Sequence, residues 1–214
     1  MSDEKELQFE CKRCGNCCTD ENTIVNVTYN DIIRIKDALN LNLEELNHIL
    51  AFFIFEEEMR EEDEKKMVIS PIETEKGLAF VGLRKKYDGS CYFYDQKEEK
   101  CLIYKARPAF CRTFPFSFKV TGEKDEDSDS NIKIKFTEKA KQYCPGIGDN
   151  APPIDRKKWL KLGKKTIEDL NENYHILQEW NMAVKEGKVE RSAMNFLKTI
   201  LNIKKEDEEQ ESAS

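Results

Sequence analysis

Four thiols fall within eight residues in the run Cys11-Lys12-Arg13-Cys14-Gly15-Asn16-Cys17-Cys18, and the other four cysteines, Cys91, Cys101, Cys111 and Cys144, follow singly along the chain. Thiolate sulfur is a soft ligand, and a Cys-x-x-Cys step lets two sulfurs reach one ion across a tight turn. The default reading of such a run is a metal site. Gly15 suits it, because a knuckle needs a residue that tolerates positive φ just after its second cysteine. Adjacent side chains point in different directions, so of Cys17 and Cys18 one is expected to face a first site and the other a second. On the same argument the run should not close a site alone. At least one ligand is expected from Cys91, Cys101, Cys111 or Cys144.

The chain does not need metal merely because it is small, since 214 residues can bury a substantial core. With 36% charged residues and a net charge of -7, it reads as a soluble acidic protein, poorly suited to a polyanion. Nucleic acid is therefore set aside as a partner. The N-terminus lacks a basic stretch followed by an apolar one, and the longest apolar run, Ile49 to Phe55, is too short to span a bilayer. The expectation is no membrane and a cytoplasmic location, where thiols stay reduced. Eight cysteines could form four disulfides arithmetically, but their density is well below the ~8–10% of a disulfide scaffold. A bridge between Cys17 and Cys18 would also close a strained ring. Metal or a metal cluster is the preferred reading.

In chain order, Thr23 to Thr28 alternates with β-branched residues and suggests a short strand. Thr28-x-x-Asp31 then caps a helix whose apolar face is Ile32, Ile33, Ile35 and Leu39. Asn42-x-x-Glu45 repeats the signal before a second helix, expected to run through Leu46, Ile49, Leu50, Phe53 and Ile54 to about Glu57. His48 lies inside it and reads as a helix-surface histidine. Glu56 to Lys66 is a solvated charge run. Short β segments follow at Met67–Pro71, Leu78–Leu83, Cys91–Tyr94, Cys101–Tyr104, Phe114–Val120 and Ile132–Phe136, the texture of hairpins in a small antiparallel sheet. Pro108 and Pro115 flank Cys111 and hold it on a stiff corner. Thr121 to Asn131 is an acidic loop without the central Gly and final Glu of a calcium-binding hand. Beyond Cys144, Trp159 to Trp180 marks an amphipathic helix to about Lys185, Glu190 to Ile203 a last one, and the acidic end a disordered tail. The fold class expected is α+β: a small antiparallel sheet and helices around a cysteine metal centre, with a C-terminal helical segment. The divisions are 1–150 for the cysteine domain, 151–204 for the helical extension and 205–214 for the tail.

Taken together, Phe9-x-Cys11-x-x-Cys14-Gly15-x-Cys17-Cys18, Asp31-Ile-x-Arg34, Cys91-x-Phe93, Cys101-x-Ile-Tyr104-x-x-Arg107-Pro108-x-x-Cys111-Arg112-x-Phe114-Pro115-Phe116 and Cys144-x-Gly146-x-Gly148 resemble the CxxCxxCC family. These are the YkgJ-like cysteine cluster proteins, described as zinc- or iron-chelating and including flagellin lysine N-methylases. The resemblance spans about residues 9 to 148. It implies metal chelation and, as a further activity, methyl transfer from adenosylmethionine to lysine of a partner protein.

The residues leave the metal open between zinc and iron–sulfur. Structural zinc favours paired Cys-x-x-Cys knuckles, and Cys91, Cys101 and Cys111 supply no second pair. Spacing therefore favours an iron–sulfur cluster, of the 4Fe–4S kind, with zinc as the alternative. Four thiolates leave either centre negative, which nearby cations offset. Lys12 and Arg13, and above all Arg107 and Arg112 as cofactor-binding residues, are placed for this. Three functions stay open: a metal or cluster protein using all eight cysteines, a protein-lysine methyltransferase, and a structural metal module that meets a partner through its helices. Against the enzyme, no strand-Gly-x-Gly-helix loop is visible.

Overall fold

The computed structural model describes residues 7–55, 68–121 and 131–212, with side chains through residue 203. The charge run at 56–66, most of the acidic loop and the tail side chains lie outside what is described. The fold is α+β, as the periodicities imply.

Two caps form as the sequence specifies. A four-residue turn of helix at the cysteine run precedes the helix that Thr28 starts. We therefore number α1 as Asn16–Thr19, α2 as Tyr29–Leu39 and α3 as Leu43–Ile49. At α2 the Asp31 N–H donates to Thr28 Oγ1 at 3.2 Å while the Thr28 N–H donates to Asp31 Oδ2 at 3.1 Å. At α3 Asn42 and Glu45 exchange the same pair of bonds at 2.9 and 3.0 Å. Each reciprocal box satisfies N–H groups a helix start would otherwise leave unpaired.

The second helix ends at Ile49, not near Glu57. Leu50–Ile54 is strand β1, which pairs antiparallel with β3 (Gly77–Leu83), Phe52 opposite Val81. Periodicity cannot separate a short apolar run in a helix from one in a strand, and pairing to a neighbour decides it. β2 (Ile72–Thr74) completes a sheet of order β1-β3-β2, so the segment expected at Met67–Pro71 forms its strand just downstream. The expected strand at 23–28 is reduced to a bridge between Asn26 and Gly82, with Val27 N–H on the Val81 carbonyl at 3.1 Å. Two small hairpins follow: β4 (Tyr94–Asp95) with β5 (Lys100–Cys101), and β6 (Phe116–Val120) with β7 (Ile132–Phe136). Between them lie a 3-10 turn at Tyr104–Ala106 and α4 (Ala109–Thr113). The cysteine strands are thus two residues long, because Cys91 joins only a bridge to Lys85 and Tyr104 turns helical.

After α5 (Glu138–Tyr143), the chain ends in α6 (Arg156–Lys185) and α7 (Ala193–Ser212), whose backbone continues through acidic residues read as a tail. Both belong to the main core. Leu177, Trp180, Phe196, Leu197 and Ile200 pack with Val27, Ile32, Ile35, Leu46, Leu50, Ile72 and Val81 in one cluster. Each such side chain contributes about 1.5–3 kcal/mol on burial. Helix α6 also covers the edge of β2. Asn181 donates to the Pro71 carbonyl at 2.9 Å and accepts from the Glu73 N–H at 2.9 Å, and Trp180 Nε1 donates to the Glu73 carbonyl at 3.0 Å. These bonds occupy an edge that could otherwise pair with another chain. A second, aromatic cluster sits under β6 and β7, where Phe116 meets Trp159 at 4.5 Å and Phe9 at 5.5 Å. Phe9 pins the segment that leads into the cysteine run.

Candidate metal centre

The cysteine run folds as a knuckle into α1. Gly15 is its N-cap with φ 78°, and its carbonyl accepts the Cys18 N–H at 2.7 Å and the Thr19 N–H at 3.0 Å. That conformation is disfavoured with a Cβ. There is also no room for one, since a Cβ at Gly15 would lie 2.1 Å from Tyr94 Oη. Tyr94 of the β4–β5 hairpin therefore lies against the knuckle, a neighbour that the positive φ alone does not reveal.

Three other segments reach the same place. Cys91 donates its N–H to the Cys18 carbonyl at 2.7 Å, while Cys101 stands opposite Tyr94 in the hairpin. Phe93 and Ile103 root that hairpin in the core. Cys111 is on α4, which Asp31 holds from behind. The carboxylate of this fully buried residue accepts the Ala109 N–H at 2.9 Å, binds Arg34, and caps its own helix. Arg34 also donates to the Arg107 carbonyl at 3.0 Å. Cys144 caps α5 and is carried to the run by the Glu10 N–H on the Gly146 carbonyl at 3.0 Å.

All eight cysteines line one cavity of about 370 Å³. Phe9, Phe93, Phe114, Tyr94, Tyr104 and Tyr143 give it apolar walls, and Lys12, Arg13, Lys100, Lys105 and Arg107 stand around it with a single carboxylate, Glu99. Arg107 lies 3.9 Å from the Tyr104 ring centre and Arg13 4.9 Å. Arg112 does not join them. It follows Cys111 on a short helix and points the other way, into a second pocket with Arg34, Lys165 and Asp169, where burial and Arg34 lower its pKa. His48 packs edge-on against Tyr92 and is not among the cavity residues. The sequence reading missed the aromatic walls, although Tyr94 and Tyr104 each follow a cysteine by three residues.

Cys17 and Cys18, expected to face different sites, both line the cavity. Their sulfurs are 3.9 Å apart, because the first turn of α1 brings both toward the cavity. The hydrogen bond from Cys18, with help from the Arg107 charge, lowers the Cys17 pKa to about 7, against the opposing effect of burial. The same bond holds the Cys18 proton, raising its pKa. Burial pushes Cys91, Cys101, Cys111 and Cys144 up. Among the described residues no three Cys, His, Asp or Glu side chains already stand in ion-holding geometry. The donor set nevertheless fits a thiophilic metal: thiols alone, in one cavity, ringed by cations. Closing on an ion takes side-chain rotation, for which Cys11, Cys14 and Cys17 are exposed.

A cavity walled by cysteines defines a thiol-rich chelating domain. The chain belongs to the CxxCxxCC family, described as "Putative zinc- or iron-chelating domain", which matches residues 10–145. It is also similar to the uncharacterized protein MJ0661 of Methanocaldococcus jannaschii, 30% identical over 164 residues that make up 75% of this chain and 71% of that one. No solved structure matches. No helix among the described residues is long and apolar enough to cross a membrane.

Proposed function

We propose that this chain is a metal-chelating protein whose cysteines hold an iron–sulfur cluster. The observation that carries this reading is the meeting of all eight cysteines at one cavity of about 370 Å³, larger than a lone tetrahedral ion with sulfurs at about 2.3 Å requires. Once bound, such a centre supplies electron transfer or a reactive iron site.

The chain's own residues do the rest. The aromatic walls give the sulfurs an apolar surround on the cavity side, and Arg107, Arg13 and Lys12 offset thiolate charge. Thiols raised by burial release protons on ligation, so uptake strengthens as pH rises. Asp31 fixes the turn that carries Cys111. Anaerobic purification followed by visible spectroscopy and assay of iron and acid-labile sulfide tests the reading. A brown protein with both is expected, and a colourless one with stoichiometric zinc and no iron overturns the cluster.

A further inference from the structure

Resting on the metal-binding reading above, we infer that the eight cysteines divide into two four-thiol centres: Cys11, Cys14, Cys17 and Cys144 in one, Cys18, Cys91, Cys101 and Cys111 in the other. The adjacent pair supplies one sulfur to each.

The backbone sorts them. Before the knuckle, the chain is laced to the segment around Cys144. Phe9 bridges Ile147, the Glu10 N–H donates to the Gly146 carbonyl at 3.0 Å, and Asn16 Nδ2 donates to the Tyr143 carbonyl at 3.1 Å. Cys11 and Cys14 lie inside this lacing, with Cys144 between the tie points Tyr143 and Gly146 on the facing segment. After the knuckle, the ties change partner. The Cys18 carbonyl accepts from Cys91 at 2.7 Å, and the Tyr94 N–H returns to the Cys91 carbonyl at 3.0 Å. Tyr94 is the residue opposite Cys101, so Cys18, Cys91 and Cys101 follow one another through three consecutive contacts. Phe110 anchors α4 to the same core that Cys91 and Cys101 pack against, which brings in Cys111.

Cys18 goes to the second set through its direct backbone bond to Cys91, and because it is less exposed than Cys17. One centre then sits at the exposed mouth and the other against the core, with the Gly15 knuckle as their shared wall.

The experiment uses the full chain as purified anaerobically with its own metal. A chelator is added stepwise, native mass spectrometry counts retained metal, and N-ethylmaleimide labelling followed by peptide mapping reports which thiols each step releases. The expected result is two equal losses, one exposing Cys11, Cys14, Cys17 and Cys144 together and the other exposing Cys18, Cys91, Cys101 and Cys111. A single loss that exposes all eight, or the release of Cys17 and Cys18 in the same step, overturns the division while leaving metal binding intact. Protein that carries no metal, with every thiol reactive from the start, overturns the division and the underlying reading together.

Discussion

The layer of α2, α3, the three-stranded sheet, α6 and α7 differs in kind from the cysteine region beside it. The layer is made of long elements with continuous apolar faces, and its core runs from Val27 to Ile200. The cysteine region is made of two-residue strands and helices of four and five residues, too short to be stable by their own bonds. Beyond Phe93, Ile103 and Phe110, which root it in that core, it is held by single polar ties: Asp31 to Ala109, Cys91 to Cys18, Glu10 to Gly146. Its thiols are spent on none of these ties. Burial stabilises one region, while the other leaves eight thiols around a cavity, and on the proposed metal-binding reading its remaining stability comes with ligation.

The comparison breaks first, if at all, in the core. Phe196, at 2% exposure, should cost about 3–5 kcal/mol when changed to Ala. Denaturant melts should show the same loss with and without metal, and metal content of the folded protein should be unchanged. Asp31 sits on the seam. Asp31→Ala strands the Ala109 and Thr28 N–H groups and Arg34, at a cost of about 3 kcal/mol, and metal analysis should show a loss that Phe196→Ala does not cause.

Gly15→Ala sharpens the contrast from the other side. Its φ of 78° and the Tyr94 hydroxyl in its way together cost about 2 kcal/mol in the loaded protein. Without metal the knuckle can shift away from Tyr94, so the loss measured after chelation should be smaller. An equal loss in both forms would mean the knuckle is already fixed by the fold. The smallest effect is at Asp20, which accepts from Lys139 at 2.6 Å and ties the end of α1 to α5. This bond, with that of Thr23, lowers the Asp20 pKa from 3.8 to about 2. A depressed carboxyl stabilises the fold above its unfolded pKa and loses that contribution as pH falls toward the folded value. Asp20→Asn should therefore lower stability by about 0.5 kcal/mol at pH 7, and thermal melts should show the difference from wild type shrinking between pH 4 and pH 2.

What could be read without coordinates was local. Thr28 with Asp31, and Asn42 with Glu45, form caps because both partners of each bond lie within four residues. Gly15 takes the positive φ its place after Cys14 requires, and the soft-ligand chemistry of the run follows from sulfur itself. Family membership was legible from the same cysteine spacing. The tertiary structure decided what depends on distant partners. Leu50–Ile54 became a strand because β3 lies beside it, α6 entered the main core because its face fits α2 and β2, and α7 because it packs on α3. Arg112 turned away from the cavity that Arg107 lines, since five residues of helix face two directions at once. The Cys17 and Cys18 sulfurs stand 3.9 Å apart because α1 turns at Gly15 under Tyr94. A sequence fixes which bonds its near neighbours can make; which of Cys91, Cys101, Cys111 and Cys144 meet the knuckle depends on packing that only the whole chain completes.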